Sequence, residues 1–320
     1  MELSVVFNEL CLRKPAPSRD KAREWMNGFV ETLTAANDAG LETIRIHADF
    51  KELFLSPDYP IVAWYNDNLV PIETRDYLLT YATRHPIVRP HIGDLSEEHL
   101  VRKRCDEGFT GGYDEDEALG LSFAYMLNAI AISILTEDVW DKSDIEFDRM
   151  EEIEEKTTED RVSVKHIARK SHVTTHQTWV GDYYRNLVQD GATLIQYGKF
   201  VYPSIIFCAK AISQVEALGA NHYYFDMLHN EIKNMQRYCS IWTGDYFDSR
   251  EFGGKTTRES EATLNQYGNL RQFNIPGRGF EIFTWHTRLD RDWRIHFFPV
   301  VIGRKIYVGY VGEHLRIATG

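Results

Sequence analysis

The chain has 320 residues and a formal net charge of -12 at pH 7, with 36 Lys and Arg residues against 48 Asp and Glu residues. Hydrophobic residues make up 43% of the chain and charged residues 26%, which excludes a disordered or fibrous protein and one coated in positive charge. The length predicts one large domain or two ordinary ones.

The cysteine pattern is typical of a reduced, intracellular protein. The four cysteines are far apart and form no CxxC pair: Cys11, Cys105, Cys208 and Cys239. Acidic residues flank the short apolar run at the amino terminus, which is not the pattern of a secretory signal. We therefore expect a cytoplasmic location.

Strands and helices are predicted to alternate along the first hundred residues. Residues 3–10 are a strand candidate, and so are residues 43–47, where alternation places Ile44 and Ile46 on the inner face. Ser18 is placed to cap a helix that ends at Gly40, and a further helix is predicted over 72–83.

An uncharged stretch covers residues 118–135 and is barely long enough to cross a membrane. Its internal polar residues and acidic flanks favour a helix over 116–127 that runs into a buried strand over 129–135. The acidic run 114–117 would then cap that helix, or alternatively bind a divalent cation. We expect no membrane association.

The middle of the chain predicts a hairpin from residues 145–150 and 161–167, followed by helices over 175–188, 205–218 and 222–242. The basic stretch 165–170 with its neighbouring histidines is either a surface turn or a second nucleic-acid contact.

The predicted helix over 222–242 carries a possible set of metal ligands on one face: His222, Asp226 and His229. The outer two lie roughly 10 Å apart along the helix, so a polar helix face is favoured over a metal site.

Charge changes sign near the carboxyl end. Residues 251–320 contain ten basic and seven acidic residues, a net of +3, whereas residues 1–250 carry -15. The segment 244–255 also breaks the periodicity. The fold class predicted is α+β, with an acidic mixed α/β body over 1–250, regulatory or partner-binding, and a basic, mostly antiparallel β module over 251–320.

A short helix over 259–267 and strands over 270–275, 280–289, 293–301 and 305–311 are predicted in this module. His286 and Arg288 share one strand face, and so do Arg294 and His296. Pairing of the two strands through the turn at 290–292 would bring all four side chains together. A basic face of this kind suits phosphate contact, and the two imidazoles suit proton exchange.

The run DWRIHFFPVVIGRKIYVGYVGEHL resembles the last strands of RelE/HigB-type toxins, small bacterial ribonucleases. The resemblance covers 24 residues of a much longer chain, and the two glycines before its late histidine depart from the toxins' pattern. It implies a RelE-like fold in which Arg294 holds the scissile phosphate, His314 is the late histidine, and Tyr307 or His286 handles protons. As a whole the chain is similar to uncharacterised bacterial proteins of defence and mobile-element neighbourhoods.

The working hypothesis is a bacterial toxin-like or antiviral-defence protein that acts on or docks to nucleic acid, RNA more than DNA, through its basic carboxy-terminal sheet. In its enzymatic form the hypothesis is a ribonuclease that uses no metal or other cofactor. The expected catalytic residues are His286, Arg294, His296 and His314. The expected nucleic-acid contacts are Arg288, Arg291, Arg304, Lys305 and Arg316.

Two alternatives stay open. The alternating Arg and His residues are also compatible with an ordinary solvated sheet face. The 17 Tyr, 17 Phe and 7 Trp residues suit a non-catalytic interaction subunit of a multiprotein bacterial defence complex, as a homo- or hetero-oligomer. The sequence contains no phosphate-loop, dinucleotide-binding or nucleophile-elbow motif, which disfavours those three classes of enzyme.

Overall fold

The computed structural model describes residues 3–84, 86–87, 109–113, 116–153, 156–253 and 255–318. Contacts between residues divide the chain into two compact units, Met1–Val180 and Gly181–Gly320. Helices and strands are mixed in both units, which confirms the predicted α+β class. This division lies well before the predicted domain boundary at residue 250.

The first unit contains a sheet whose described strands follow the order β5-β2-β1-β8-β10-β9-β6-β7. Their bounds are β1 Ser4–Phe7, β2 Thr43–His47, β5 Pro86–Ile87, β6 Phe109–Tyr113, β7 Asp116–Glu117, β8 Ile130–Ile132, β9 Asp144–Ile153 and β10 Lys156–Ile167. A small pair, β3 Phe54–Ser56 and β4 Tyr59–Pro60, lies outside this sheet. Strands β5, β2, β1, β8 and β10 run parallel to one another, so the order on either side of β1 is that of a doubly wound sheet.

The helices of the first unit are α1 Arg19–Asp38, α2 Ile61–Tyr65, α3 Ile72–Arg84, α4 Leu119–Met126 and α5 Lys170–Thr175. Ser18 caps α1 as predicted, since its hydroxyl accepts the Lys21 N–H at 3.2 Å. The predicted hairpin is confirmed, because β9 and β10 pair antiparallel along their length. No helix in the described part of the chain is both long and apolar enough to cross a membrane.

A buried polar trio lies where the parallel strands end. Asn8 follows β1 and donates to the Ser133 hydroxyl at 3.0 Å, and this hydroxyl is 2.7 Å from Nε2 of His166 near the end of β10. The other ring nitrogen, Nδ1, lies 2.7 Å from the Lys142 carbonyl. All three side chains are fully buried, so the trio ties neighbouring strands together within the core.

The second unit begins within α6 Gln177–Leu187 and continues through α7 Gly191–Val201, α8 Ala209–Glu216, α9 Tyr223–Ile241, α10 Ser249–Phe252 and α11 Glu261–Tyr267. Its strands are β11 Ile205–Phe207, β12 Thr256–Arg258, β13 Gln272–Ile275, β14 Gly279–Ile282, β15 Trp285–Arg288, β16 Trp293–Val300 and β17 Lys305–Glu313. The order of the larger sheet is β11-β17-β16-β15-β12, and β13 pairs with β14 as a separate hairpin.

Two sequence predictions are wrong in this unit. The segment 205–218 was expected to be one helix, but it opens as β11, whose apolar residues pair parallel with β17, and α8 starts only after Cys208. The segment 280–289 was expected to be one strand, but it breaks at Phe283 because the Phe283 N–H donates to the Arg271 carbonyl at 2.8 Å. The run therefore feeds two different sheets.

Strand β11 also explains the position of the unit boundary. Strands β12, β15, β16 and β17, all after residue 250, share their sheet with β11, which lies well before residue 250. The predicted module over 251–320 is thus part of a larger unit. Its charge differs from that of the preceding sequence, but its hydrogen bonding does not separate it.

A glycine lets the β13–β14 hairpin approach the larger sheet. A Cβ atom on Gly309 of β17 would lie 2.5 Å from Cδ2 of Phe273 and 2.6 Å from Cε1 of Phe283. Both phenylalanines are buried and their rings meet edge to face with centroids 5.1 Å apart. The core of this unit therefore extends between the hairpin and β17.

Candidate functional site

The predicted meeting of four side chains on one sheet face is confirmed. Strands β15 and β16 pair so that His286 stands opposite His296, and Arg288 stands opposite Arg294. The imidazole centroids of His286 and His296 are 5.4 Å apart. Strand β17 adds Tyr310 beside His296, with ring centroids 5.7 Å apart. One row across the sheet therefore consists of two histidines and a tyrosine.

The expectation that these side chains form an exposed basic face is wrong. The exposed fractions of His286, Arg294 and His296 are 7%, 6% and 1%. Nη1 of Arg294 donates to the carbonyls of its own turn, at 2.9 Å to Asp290 and 3.2 Å to Arg291. Arg294 therefore stabilises the β15–β16 turn, and Arg288 is the exposed member of the four.

A buried ion pair covers the histidines. Oε1 of Glu259, directly after β12, lies 2.8 Å from Nε of Arg271 and 3.2 Å from Nδ1 of His286. Nε2 of His286 is 3.1 Å from the Thr257 hydroxyl. The Glu259 and Arg271 side chains are 3% and 0% exposed.

Sequence reasoning missed both members of this ion pair. Each lies just outside a strand, where no alternation marks the direction of a side chain. Glu259 is held in place by its own backbone, whose N–H donates to the Thr284 carbonyl at 2.8 Å. The separation of twelve positions between Glu259 and Arg271 carries no recognisable spacing. The available signal was weak: two opposite charges flanking a short predicted helix.

Burial and neighbouring charges set the protonation states of the cluster. Burial alone would raise the pKa of Glu259, but the close contacts with His286 and the charged Arg271 outweigh burial and lower the pKa to about 2. Burial lowers the pKa of His296 to about 3, and the neighbouring His286 acts in the same direction. The cluster at neutral pH is therefore an ionised carboxylate beside a neutral His296.

His296 has an unusual environment for a buried imidazole. Within the described part of the chain, neither of its ring nitrogens has a hydrogen-bond partner. Its Nδ1 is 3.9 Å from Oε1 of Glu259. One ligand atom each from Glu259, His286 and His296 can be chosen so that all three lie within 4.8 Å of one another. These residue types are common ligands of transition metals.

His314 connects the cluster to the surface. It lies after β17, is itself exposed, and its ring centroid is 6.4 Å from that of His286. Partial burial lowers the pKa of His314, with further contributions from Arg294 and His286. The late histidine of the sequence motif thus lies at the exposed side of the buried cluster.

The other predicted nucleic-acid contacts divide into two groups. Arg291, Lys305 and Arg316 are exposed. Arg304 is already engaged, because its Nη1 donates to the Gly244 carbonyl at 2.6 Å and its Nη2 to the Thr243 carbonyl at 3.1 Å. Its guanidinium also lies over the Trp242 ring, 5.4 Å from the centroid. This geometry favours a structural role for Arg304 over phosphate contact.

The two histidines predicted on the face of α9 have separate hydrogen-bond partners. Nδ1 of His222 accepts the Tyr224 N–H at the start of the helix, and Nε2 of His229 is 2.6 Å from the Tyr202 hydroxyl. Asp226 lies between them in sequence. The two histidines thus have different partners, which agrees with the polar-face interpretation.

The first unit has an open hollow of about 630 Å³ beside α1 and the segments after β8 and β10. The cations around it have acidic partners: Lys170 lies 3.0 Å from Glu31, and Arg169 pairs with Asp141. The basic stretch 165–170 is thereby largely neutralised, which favours the surface-turn interpretation.

The acidic run 114–117 was predicted to be a helix cap or a cation site. Its residues 114–115 lie outside the described residues.

The chain has no significant match to a protein-family model, to a curated protein or to a solved structure.

Proposed function

We propose that the second unit binds a nucleic-acid backbone, RNA in preference to DNA, and cleaves it beside His314. The observation that carries the proposal is the grouping on one sheet face of a buried carboxylate–histidine pair, an exposed histidine next to it and an exposed arginine. Glu259 and His286 are the buried pair, and His314 and Arg288 are the exposed members. Such a grouping combines proton transfer with attraction for phosphate.

Each part has a distinct role in the proposal. His314, the exposed imidazole of the group, takes the proton of the ribose 2′-hydroxyl as that oxygen bonds to phosphorus. The bond from phosphorus to the 5′-oxygen breaks, and the imidazolium returns the proton to this leaving oxygen. His286, held by Glu259, orients and polarises the site from behind. Arg288, Arg291 and Arg316 contact phosphates along the strand. The preference for RNA is supported by the resemblance of the closing strands to RelE/HigB-type ribonucleases.

The test uses the full chain with labelled single-stranded RNA and DNA at low salt. We expect RNA cleavage by the wild type, and loss of cleavage with retained binding in His314→Gln. Arg288→Ala combined with Arg291→Ala should weaken binding at least tenfold. Arg278→Ala is the matched control, since Arg278 is exposed and pairs with Glu281 in the β13–β14 hairpin.

The proposal fails if the wild type neither binds nor cleaves RNA or DNA. It also fails if His314→Gln cleaves at the wild-type rate, or if the double arginine variant binds as tightly as Arg278→Ala. Cellular toxicity or protection, measured in parallel, should follow the cleavage rates of the variants.

A second candidate is a protein-interaction subunit. The specific observation is a set of exposed large apolar side chains in the second unit, with exposed fractions of 66% for Tyr223, 65% for Tyr246, 70% for Phe280 and 89% for Ile302. Exposed aromatic side chains are enriched at protein interfaces. A stable oligomer by light scattering, combined with no effect on nucleic acid, would favour this candidate.

A further inference from the structure

A buried imidazole without hydrogen bonds carries a free-energy cost that requires an explanation. Leaving a buried polar group unsatisfied is unfavourable, and the missing partner is in many cases a water or an ion. His296 is 1% exposed, and neither ring nitrogen has a hydrogen-bond partner in the described part of the chain. An additional partner at this position would remove that cost.

We infer that Glu259, His286 and His296 hold one divalent transition-metal ion. The three side chains come from separate elements that the sheet brings together: the end of β12, β15 and β16. All three side chains are buried, so the ion would lie within the protein and not on its surface. Metal binding requires no nucleic acid, so the inference goes beyond the proposed function and does not rest on it.

The distances are close to those of a metal centre. Two donors that bind one ion at about 2.0–2.2 Å lie roughly 3.0–3.5 Å apart. Oε1 of Glu259 is 3.2 Å from Nδ1 of His286 and 3.9 Å from Nδ1 of His296. Since the three ligand atoms lie within 4.8 Å of one another, a movement of the His296 ring on the order of 1 Å would bring them to the spacing of a metal centre.

The groups around the ligands orient them. The Thr257 hydroxyl lies 3.1 Å from Nε2 of His286, so a proton on Nε2 leaves the lone pair of Nδ1 directed toward Glu259. Arg271 lies 2.8 Å from Oε1 of Glu259 and keeps this carboxylate ionised. The positive charge of Arg271 also offsets the negative charge of Glu259, so the pocket has little net charge before an ion enters.

The donor set selects the class of metal. Two imidazoles and one carboxylate suit Zn²⁺, Fe²⁺ and Co²⁺, whereas Mg²⁺ prefers oxygen donors and retains several waters. Three protein ligands leave a position for water or another oxygen donor. The side of His286 toward the exposed His314 is where such a donor would reach the surface.

The experiment is a titration of the chelator-treated full chain with Co²⁺, followed by visible absorption, and then competition with Zn²⁺. We expect one ion per chain, displacement by Zn²⁺ and no displacement by equimolar Mg²⁺. His286→Gln and His296→Gln should each weaken Co²⁺ binding at least tenfold. His222→Gln is the matched control, because this exposed histidine at the start of α9 lies outside the cluster, and the variant should bind Co²⁺ as the wild type does.

Circular dichroism checks the fold of each variant. If a ligand variant does not fold, electron paramagnetic resonance of Cu²⁺ bound to the wild type decides instead, since it should report nitrogen couplings from two imidazoles. Absence of saturable Co²⁺ binding overturns the inference. So do equal affinities in the wild type, His286→Gln and His296→Gln, or a Cu²⁺ spectrum without two imidazole nitrogens. All arms are run without nucleic acid, so failure here is distinct from failure of the proposed cleavage.

Discussion

Individual buried charges in the second unit depend on one another. Arg271 is fully buried, and its ion pair with Glu259 is part of the contact that also includes His286. Removing one partner of such a pair leaves the other charge buried in a medium that solvates it poorly. The energetic consequence is much larger than for an exposed pair of the same residue types.

Arg271→Met should lower the free energy of unfolding by about 3–5 kcal/mol, because the Glu259 carboxylate loses its cationic partner. Arg278→Met is the control: its exposed pair with Glu281 is worth at most about 1 kcal/mol. Urea unfolding followed by circular dichroism measures both. Equal losses in the two variants would contradict a stabilising role of the buried pair.

The buried trio of the first unit predicts a pH dependence of stability. Burial lowers the pKa of His166 from 6.5 to about 4, His172 and His176 act in the same direction, and the Lys142 carbonyl opposes the shift. The unfolded chain therefore takes up the proton at a higher pH than the folded chain. The stabilisation is complete above about pH 6.5 and is lost as pH falls toward 4, by about 3 kcal/mol in total.

Urea unfolding at several pH values tests this expectation. His166→Asn should remove most of the pH slope between 6.5 and 4, whereas Ser133→Ala should lower stability and retain the slope, since its histidine still titrates. A wild-type slope that survives in His166→Asn would assign the effect to another group.

At the scale of elements, the sequence predicted what local patterns determine. Ser18 predicted the start of α1, alternation predicted β2 and the β9–β10 hairpin, and the turn at 290–292 predicted the pairing of His286 with His296. Segments whose structure depends on distant partners were not predictable. Strand β11 forms because β17 offers a free edge, and the run 280–289 breaks because Arg271 binds the Phe283 N–H.

The candidate site also combines features that a local pattern predicts with features that depend on distant residues. Register within one hairpin placed the histidines correctly, but burial could not be inferred, because the covering groups Glu259 and Arg271 come from irregular segments. The sequence therefore predicted which side chains come together, but it did not predict which of them are exposed to solvent.

Gly309→Ala tests the packing of the β13–β14 hairpin on β17. The added methyl group would overlap the rings of Phe273 and Phe283, so we expect a loss of about 1–3 kcal/mol in the free energy of unfolding. Gly219→Ala is the matched control, since no atom lies within 4 Å of its added Cβ. Chemical denaturation compares the two, and a neutral Gly309→Ala would mean that the hairpin can move away at little cost.

At the scale of the whole molecule, the net charge differs in sign between the two units, as it does across the predicted boundary at residue 250. Residues 1–180 contain 20 basic and 34 acidic residues, whereas residues 181–320 contain 16 and 14. The first unit therefore carries -14 and the second +2. Net charge alone therefore favours the approach of a polyanion to the second unit over the first.

This distribution predicts a modest salt dependence of nucleic-acid binding. If Arg288, Arg291 and Arg316 neutralise three phosphates of a single strand, the logarithm of the association constant should fall with the logarithm of salt concentration with a slope of about -2. Arg288→Ala should reduce the steepness by about 0.7. Fluorescence anisotropy over a salt series measures both slopes, and a slope that Arg288→Ala leaves intact would exclude this arginine from the contact.

The hydrogen bonds of Arg304 restrict the motion of the turn between β16 and β17. Arg304 sits at the β16–β17 turn with a φ of 52°, and its two carbonyl contacts fasten that turn to the segment after α9. The neighbouring Ile302 is 89% exposed, yet the backbone beneath it is held at a second point. A spin label at position 302 should report slow, restricted motion, and Arg304→Gly should release it without strain in the backbone. The most exposed apolar side chain of the second unit would then be presented on a rigid tip.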